Sequence, residues 1–443
     1  MSMTIKTNMD AVRTFNMMDV NRTQAYKHLD KVSTGMKVRN AQDDASAYAI
    51  SEKMRVRIRA LEQAHSNTQN GSNMLKTAEG AVSSILDALR TLKEKAIDSA
   101  NDSNSDEDRR MIQKEFDQFV DAIDDDALIT FNNKYLIDGT RNNALYKTYD
   151  LLSNNNLATS TTSDTLFSEM KTRSGESLGI NDTDKISWSY VVNGENYFGE
   201  VKGSDNFNEL YNSIYDSLSN TPHDLISAVV TGEGAFDYSF NDKFGREISG
   251  SAGLMVSSGA EEVNNQIAGF TLRVTDLNGN VNKFANAQLQ FKEINRNETQ
   301  TGDQALSFHV GADANVATKF ALTDMRATAL GLKGIENKII SVSTKADANA
   351  AINVVDNAIE KVLNQQSTIG AALSRLERTA TNLTTAYTDD QMSESVIRDA
   401  DMAKEMANYA KYNLLSQTSQ AMLAQANQNP MDVLYLLGGT ETE

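Results

Sequence analysis

The chain of 443 residues contains no cysteine, which excludes disulfides, thiolate metal sites and cysteine nucleophiles from the outset. Its only prolines are Pro222 and Pro430. Proline removes a backbone donor and clashes inside a helix, so a chain this poor in it suits long uninterrupted helices. The four histidines, His28, His65, His223 and His309, stand far apart in sequence. No His-Glu-x-x-His pattern occurs, so the zinc-protease reading fails. Nothing resembles the run of about 20 apolar residues that a membrane-spanning helix needs, and no membrane insertion is expected. Basic residues are outnumbered 42 to 60, for a net charge of -18. Nucleic acid and anionic membrane surfaces both demand clustered Lys and Arg, so neither is an expected partner. The opening MSMTIKTNMDAVRTF lacks the basic-then-apolar order of a secretory signal. That predicts a cytoplasmic protein, or one exported by a route that cleaves no signal.

What the chain does have is helical periodicity toward both ends. Leu75, Ala78, Val82, Ile85, Leu89, Leu92 and Ala96 keep an unbroken 3-4 spacing, the pattern of a seam between packed helices. The spacing returns at Ile352, Val355, Ile359, Val362, Gln366, Ile369, Leu373, Leu376, Ala380, Leu383 and Tyr387, with Gln366 as the polar interruption. Two stripes of similar length, far apart in sequence, are natural partners. Thinner copies lie further out. Phe15, Met18, Arg22, Ala25, Leu29, Val32 and Met36 carry a charge within the stripe. Ala400, Ala403, Ala407, Ala410, Leu414, Gln417, Ala421 and Ala424 are mostly alanine. Such stripes bury little area at about 25 cal/mol per Å2, against the ordering entropy of an isolated helix. Residues 1–40 and 405–443 are therefore expected to order only against partner subunits.

The middle differs in kind. Residues 141–304 hold 17 of the 30 aromatics and 14 of the 24 glycines, and with 22 acidic against 12 basic residues they carry -10 of the net charge. A composition so shifted marks a separate domain. Runs such as KISWSYVVNGENYFGEV and GFTLRVTDLNGNVNKFANAQLQF alternate apolar with polar and contain Asn-Gly pairs, which predicts β-hairpins. DNFNELYNSIYDSLS between them predicts a helix. The fold class that follows is mainly α at both ends, as a long antiparallel helical coiled coil or bundle. An α+β, β-rich domain is inserted between the ends.

The carboxylate clusters point to structure rather than chemistry. Asp43 and Asp44 precede ASAYAISEKM, where a carboxylate accepts hydrogen bonds from the free N–H groups of a starting helix and suits its dipole. Adjacent aspartates at a helix start point in different directions, poor geometry for paired acid–base work. TDDQMSES (388–395) is expected to open another helix at Asp389, Asp390 or Ser393. SDEDRRMIQKEFDQFVDAIDDDA lacks the glycine turn and closing glutamate of a calcium loop, and Arg109 and Arg110 among its acids predict a solvated helix face. No nucleophile, base and orienting group can be assembled, no phosphate loop occurs, and neither catalysis nor a cofactor or metal is expected.

Several segments together resemble bacterial flagellin. VSTGMKVRNAQDDASAYAIS (32–51) is similar to the family's segment after its first helix, and NTQNGSNMLKTAEGAVSSILDALRTLKEKAIDSANDSNS (67–105) is similar along its length. FNNKYLIDGT (131–140), FHVGADANVATKFALTDMRATALGL (308–332) and the terminal SQAMLAQANQNPMDVLYLLGG (419–439) match family segments in order. The resemblance implies an extracellular flagellar filament subunit, used in motility and exported unfolded through the flagellar type III apparatus. It implies an inner helical domain of residues 1–44 and 405–443, a rod domain of 45–140 and 305–404 with a small β element, and a variable outer domain of 141–304. Leu414, Leu423, Val433 and Leu434 would join the assembly seam. Implied partners are other subunits, an export chaperone on the C-terminal helices, and the filament cap and hook-junction proteins.

One departure concerns the host's Toll-like flagellin receptor. The rod helix of detected flagellins reads roughly Gln-Arg-Val-Arg-Glu-Leu-Ala, where this chain has Arg90, Thr91, Leu92, Lys93, Glu94, Lys95 and Ala96. Glu115 matches a family glutamate, but Thr91 and Lys95 depart, so weak receptor activation is expected. Other readings stay open here. A hook–filament junction protein shares the terminal helices. A zinc-peptidase outer domain would have only His223 to use. An adhesin or glycan carrier could use the hydroxyls of Thr159, Ser160, Thr161, Thr162 and Ser163 as O-linked acceptors.

Overall fold

The computed structural model describes residues 8–438 except 144–149, 159, 163, 219–226, 229–235, 242–246, 253, 258–262, 264–265, 278, 296–301 and 335–336. For the remainder of 215–255, for residue 257 and for 430–438 it describes the backbone alone. The chain order begins α1 (Met9–Thr34), α2 (Ala45–Ser99), α3 (Asp106–Ala127), β1 (Thr130–Phe131), β2 (Lys134–Tyr135) and β3 (Leu151–Asn154). It continues β4 (Lys185–Val192), β5 (Glu195–Lys202), α4 (Phe207–Leu218), β6 (Ser227–Ala228), β7 (Phe236–Asn241), β8 (Glu247–Ala252), β9 (Leu254–Ser257) and β10 (Ile267–Thr275). It closes with α5 (Lys283–Gln288), β11 (Lys292–Asn295), β12 (Leu306–His309), β13 (Ala317–Phe320), α6 (Ala327–Leu330), α7 (Lys345–Arg398) and α8 (Met402–Gly438). Two compact units result. One holds Met1–Ser66, Val310–Val316 and Ala380–Glu443, the other Asn67–His309 and Ala317–Thr379.

In the second unit, Leu75, Ala78, Val82, Ile85, Leu89, Leu92 and Ala96 of α2 are all fully or nearly fully buried, and the 3-4 series extends back through Gly71 and Thr68. Helix α7 differs from the sequence expectation in one of its two columns. Val355, Val362, Ile369 and Leu376 are buried, but Ile352, Ile359 and Leu373 are only half-buried. The second column lies one residue earlier, at Ala351, Ala358, Gln365 and Ala372. Three of these four side chains are alanine, so this column fills less volume than the aliphatic one beside it. The polar residue inside is Gln365 rather than Gln366, and its Oε1 accepts from the Thr323 hydroxyl at 2.7 Å. Lys93 on α2 pairs with Asp356 on α7 at 2.5 Å, consistent with an antiparallel arrangement.

Helix α3 opens with a capping box. The Ser105 hydroxyl accepts from Asp108 N, and the Asp108 carboxylate accepts from Ser105 N. The Ser105 hydroxyl and then its backbone N–H hold Asp108 below the ordinary aspartate pKa. Arg109 is not on a solvated face. It is buried and donates to the carbonyls of Ser99 and Asn101, placing its charge at the C-terminus of α2. Asp124 likewise accepts from Ala327 N at the start of α6 and pairs with Lys333. These acids and bases bind backbone ends, which the charge pattern alone could not show.

The middle domain belongs to the same unit. β4 and β5 form the predicted hairpin, closed by Asn193 and Gly194 with φ of 51° and 75°, as a two-residue turn of that handedness requires. Its core gathers Trp188, Tyr190, Phe167, Phe207 and Phe270. Trp188 stacks on Tyr190 at 5.6 Å, and Tyr190 on Tyr197 at 5.2 Å. GFTLRVTDLNGNVNKFANAQLQF turns back on itself only briefly, through an antiparallel bridge between Thr275 and Val281, rather than as a second long hairpin. β10 pairs with β4, and the following residues form α5, capped by Asn282, while Asn286 Oδ1 accepts from Val274 N. The remaining strands order as β11-β3-β9-β6, β7-β8, β1-β2 and β12-β13, and α4 covers most of its predicted stretch.

Gly269 explains how β10 meets α7. The ladder with β4 bulges between Ala268 and Thr271, and Gly269 takes a φ of 65° there. A Cβ at this position would lie 2.7 Å from Val354 Cγ2 and 3.0 Å from the Ala350 carbonyl. Only glycine suits both the close approach and the left-handed backbone.

Candidate assembly interface

The first unit pairs α1 with α8 through groups that water could also satisfy. His28 Nδ1 lies 2.5 Å from Glu405 Oε2, and its ring stacks on Tyr412 at 5.3 Å with the planes 8° apart. Asn21 donates to the Ser419 hydroxyl, and Asn8 donates to the Ala426 carbonyl. Ala25 and Ala426 are the buried apolar members of this seam. Many large apolar side chains point to water instead. Met9, Val12, Phe15, Val20 and Leu29 on α1, with Met402, Met406, Leu414, Leu415 and Met422 on α8, are exposed, Phe15 by 53% and Leu414 by 62%. Leu423 is half-buried, and the side chains of Val433 and Leu434 lie outside the described residues. Two long helices that pair through polar groups and leave several methionines, leucines and a phenylalanine in water offer a candidate association surface.

A joint connects this pair to the longer helices of the same unit. Gly35 ends α1 with a φ of 72°. Lys37 N and Val38 N donate to the Arg398 carbonyl, and Ala400 N donates to the Gly35 carbonyl. The two crossing segments thus form an antiparallel bridge at Met36 and Asp399. The Arg398 guanidinium is 8% exposed and donates to Glu52 at 2.7 Å, with its carbon lying 5.7 Å from the centre of the Tyr48 ring. That hydrogen bond holds Glu52 below the ordinary glutamate pKa. Further along, Arg57 pairs with Asp390, and Leu61 and Ala64 pack with Leu383.

Asp43 and Asp44 have separate tasks in this joint. Asp43 Oδ2 accepts from the backbone N–H groups of Arg39 and Asn40, which hold its carboxyl below the ordinary range. Asp44 Oδ1 accepts from Ala47 N and caps α2. The expected helix start in TDDQMSES does not occur, because α7 runs unbroken to Arg398. Asp390 forms an ion pair with Arg57, and the Ser393 hydroxyl donates to the carbonyl of Asp389, both from within the helix. The break falls at residues 399–401, where Asp401 Oδ1 accepts from Lys404 N to start α8.

Residues 5–142 match the family described as the bacterial flagellin N-terminal helical region, and 352–437 match its C-terminal helical region. A flagellin of Clostridium tyrobutyricum is 34% identical over 432 residues, covering 96% of this chain and 99% of the relative. The chain belongs to the bacterial flagellin family. A flagellin of Bacillus subtilis (strain 168) is 30% identical over 98% of this chain and all of the relative. Among solved structures, a flagellar hook-associated protein from Legionella pneumophila is 15% identical, covering 77% of this chain and 97% of the other at a TM-score of 0.34. Flagellins are the structural subunits of the bacterial flagellar filament, and this flagellin is one of them.

The receptor-motif positions of this flagellin lie on α2 and α3 of the second unit. Arg90 is exposed and pairs with Asp87, and the Thr91 hydroxyl donates to the Asp87 carbonyl. Glu94 is exposed, and Lys95 pairs with Glu115 at 2.7 Å. Of the hydroxyl cluster, Ser160 is exposed, whereas Thr161 is buried and Thr162 is half-buried against Thr165. The turn folds Thr161 inward, so its hydroxyl is not accessible as an acceptor. Thr159, Ser163 and His223 lie outside the described residues. Among the described residues no group of three or more His, Asp or Glu side chains could hold a metal, and no helix is long and apolar enough to cross a membrane.

Proposed function

We propose that the subunit polymerises by covering the exposed apolar rows of α1 and α8 with the same rows on neighbouring copies. In this reading residues 1–44 and 405–443 form the inner layer, 45–140 with 305–404 the rod, and 141–304 the outer domain. The observation that carries it is the division of labour on α1 and α8, with amides, serine and alanine between the helices and Phe15, Leu414 and the methionines in water. A surface that meets different copies head to tail without closing gives an open helical filament. Full burial of one Phe or Leu is worth about 1.5–3 kcal/mol, so a row repeated in every subunit supplies a large association energy. The free chain gains its full terminal order only on assembly. The role is structural rather than catalytic.

Seeded fibre growth tests the proposal. Phe15→Asp and Leu414→Asp, each exposed in the single chain, should leave far-UV circular dichroism unchanged and abolish elongation seen by electron microscopy. Elongation at the unaltered rate would refute it. The same surface explains why a chaperone would shield the C-terminal helices before type III export, and why cap and junction proteins would meet the filament ends. At the rod, the Lys95 pair occupies Glu115, and Thr91 offers no guanidinium, which supports weak activation of the Toll-like flagellin receptor. Full potency of purified monomer in a cell-based receptor assay would overturn that part.

A further inference from the structure

A cleft of about 370 Å3 lies beside the Gly269 bulge, between the β11-β3 edge and α7. That volume falls at the low end for small-molecule sites and suits one or two sugar rings. Its charges are already spent. Glu360 pairs with Lys292 at 2.8 Å, and Asp356 pairs with Lys93. What remains is amide: Asn155, Gln290, Asn353 and Asn357 line the cleft with both donors and acceptors. Phe291, half-buried and held edge-on against Phe270 at 5.0 Å and 85°, adds an aromatic surface. Ser153 also lines the cleft, is 1% exposed, and its hydroxyl has no hydrogen-bond partner among the described residues. A buried hydroxyl left unmatched costs about 1–3 kcal/mol, and a ligand hydroxyl would recover it.

We propose that this cleft binds a neutral, hydroxyl-rich ring, a hexose or N-acetylhexosamine. Paired amides match vicinal hydroxyls as both donor and acceptor. The aromatic surface suits the apolar C–H face of a pyranose, and the neutralised charges disfavour ionic ligands. The proposal does not depend on filament growth, because it is read on the monomeric chain.

The test is saturation-transfer NMR and calorimetry on the monomer with glucose, galactose and N-acetylglucosamine as probes. At least one should bind at millimolar concentration, and the Asn353→Ala/Asn357→Ala double variant should weaken it about tenfold or more. Both positions are half-buried on α7, so circular dichroism should confirm that the variant folds. Phe291→Leu, which keeps an apolar side chain, provides a second variant and should also lose affinity. Equal binding of the methyl glycoside would identify a glycan end as the ligand, and its loss a free sugar; both sustain the proposal. No transfer to any of the three sugars, binding that survives both variants, or tighter binding of glucuronic acid would overturn it.

Discussion

Replacing Arg398 by alanine is expected to loosen the joint between the paired terminal helices and the longer helices of the first unit. The substitution leaves the backbone bridge to Lys37 and Val38 intact, because the acceptor there is the Arg398 carbonyl. It removes the charge-assisted bond to Glu52, worth about 1.5–3 kcal/mol in a dry site. Glu52 is 41% exposed, so solvent screening leaves only a small part of that share. Loss of the guanidinium over Tyr48 costs about 0.5–1 kcal/mol more. The buried aliphatic stem adds up to about 0.8 kcal/mol per methylene. The expected total is about 2–4 kcal/mol.

Urea unfolding followed by far-UV circular dichroism reads that loss. Arg398→Met keeps the apolar stem and should recover the packing share, leaving a deficit of about 1–2 kcal/mol. The pH dependence has a definite sign. Glu52 has a folded pKa below its unfolded value, so its contribution is fully present above the ordinary glutamate pKa of about 4.3. It is lost as pH falls through the lowered folded value, and there the gap between the wild-type protein and Arg398→Met should narrow to the share of the Tyr48 contact. A difference between wild type and Arg398→Ala under about 0.5 kcal/mol at neutral pH would refute the reasoning, since that is the range of inert surface changes.

Three further substitutions probe the second unit. Leu89→Ala, at a fully buried site in the α2 seam, should cost about 2–5 kcal/mol in urea unfolding. Gly269→Val puts a branched side chain against Val354 in a left-handed conformation and should cost about 2–4 kcal/mol, with the near-UV signal of Trp188 changing as β4 shifts. Ser105→Ala removes half of the α3 capping box and should cost about 1 kcal/mol, whereas Ser105→Asn should restore most of it.

The parts of the fold legible in the sequence were those built from large aliphatic or turn-forming residues. Leu75 to Ala96 announced α2 because each core position is apolar and the spacing never breaks. Asn193 and Gly194 announced the β4-β5 turn because few other pairs accept two positive φ angles. The inner column of α7 stayed hidden because alanine and Gln365 carry little hydrophobic signal, although all four positions are buried. The seam between α1 and α8 was harder still. Beside Ala25 and Ala426 it is held by Asn8, Asn21, His28, Glu405 and Ser419, residue types that normally mark a solvated face. Arg109 and Asp124 looked like surface charges because a sequence does not say which backbone ends they will meet. The cleft beside Gly269 had no sequence signature, since it joins β3, β11 and α7 across more than two hundred residues.

Stitching α1 to α8 with amides and hydroxyls makes their pairing directional yet easily undone. Each such bond has a specific counterpart along the rod, so a slip in register breaks several at once, while separation in water forfeits little. The oily residues act the other way: they grip hard but discriminate poorly. In the proposed assembly, polar groups set the alignment and exposed apolar ones supply the adhesion, so a subunit reaches the growing end unstuck and still locks in one orientation.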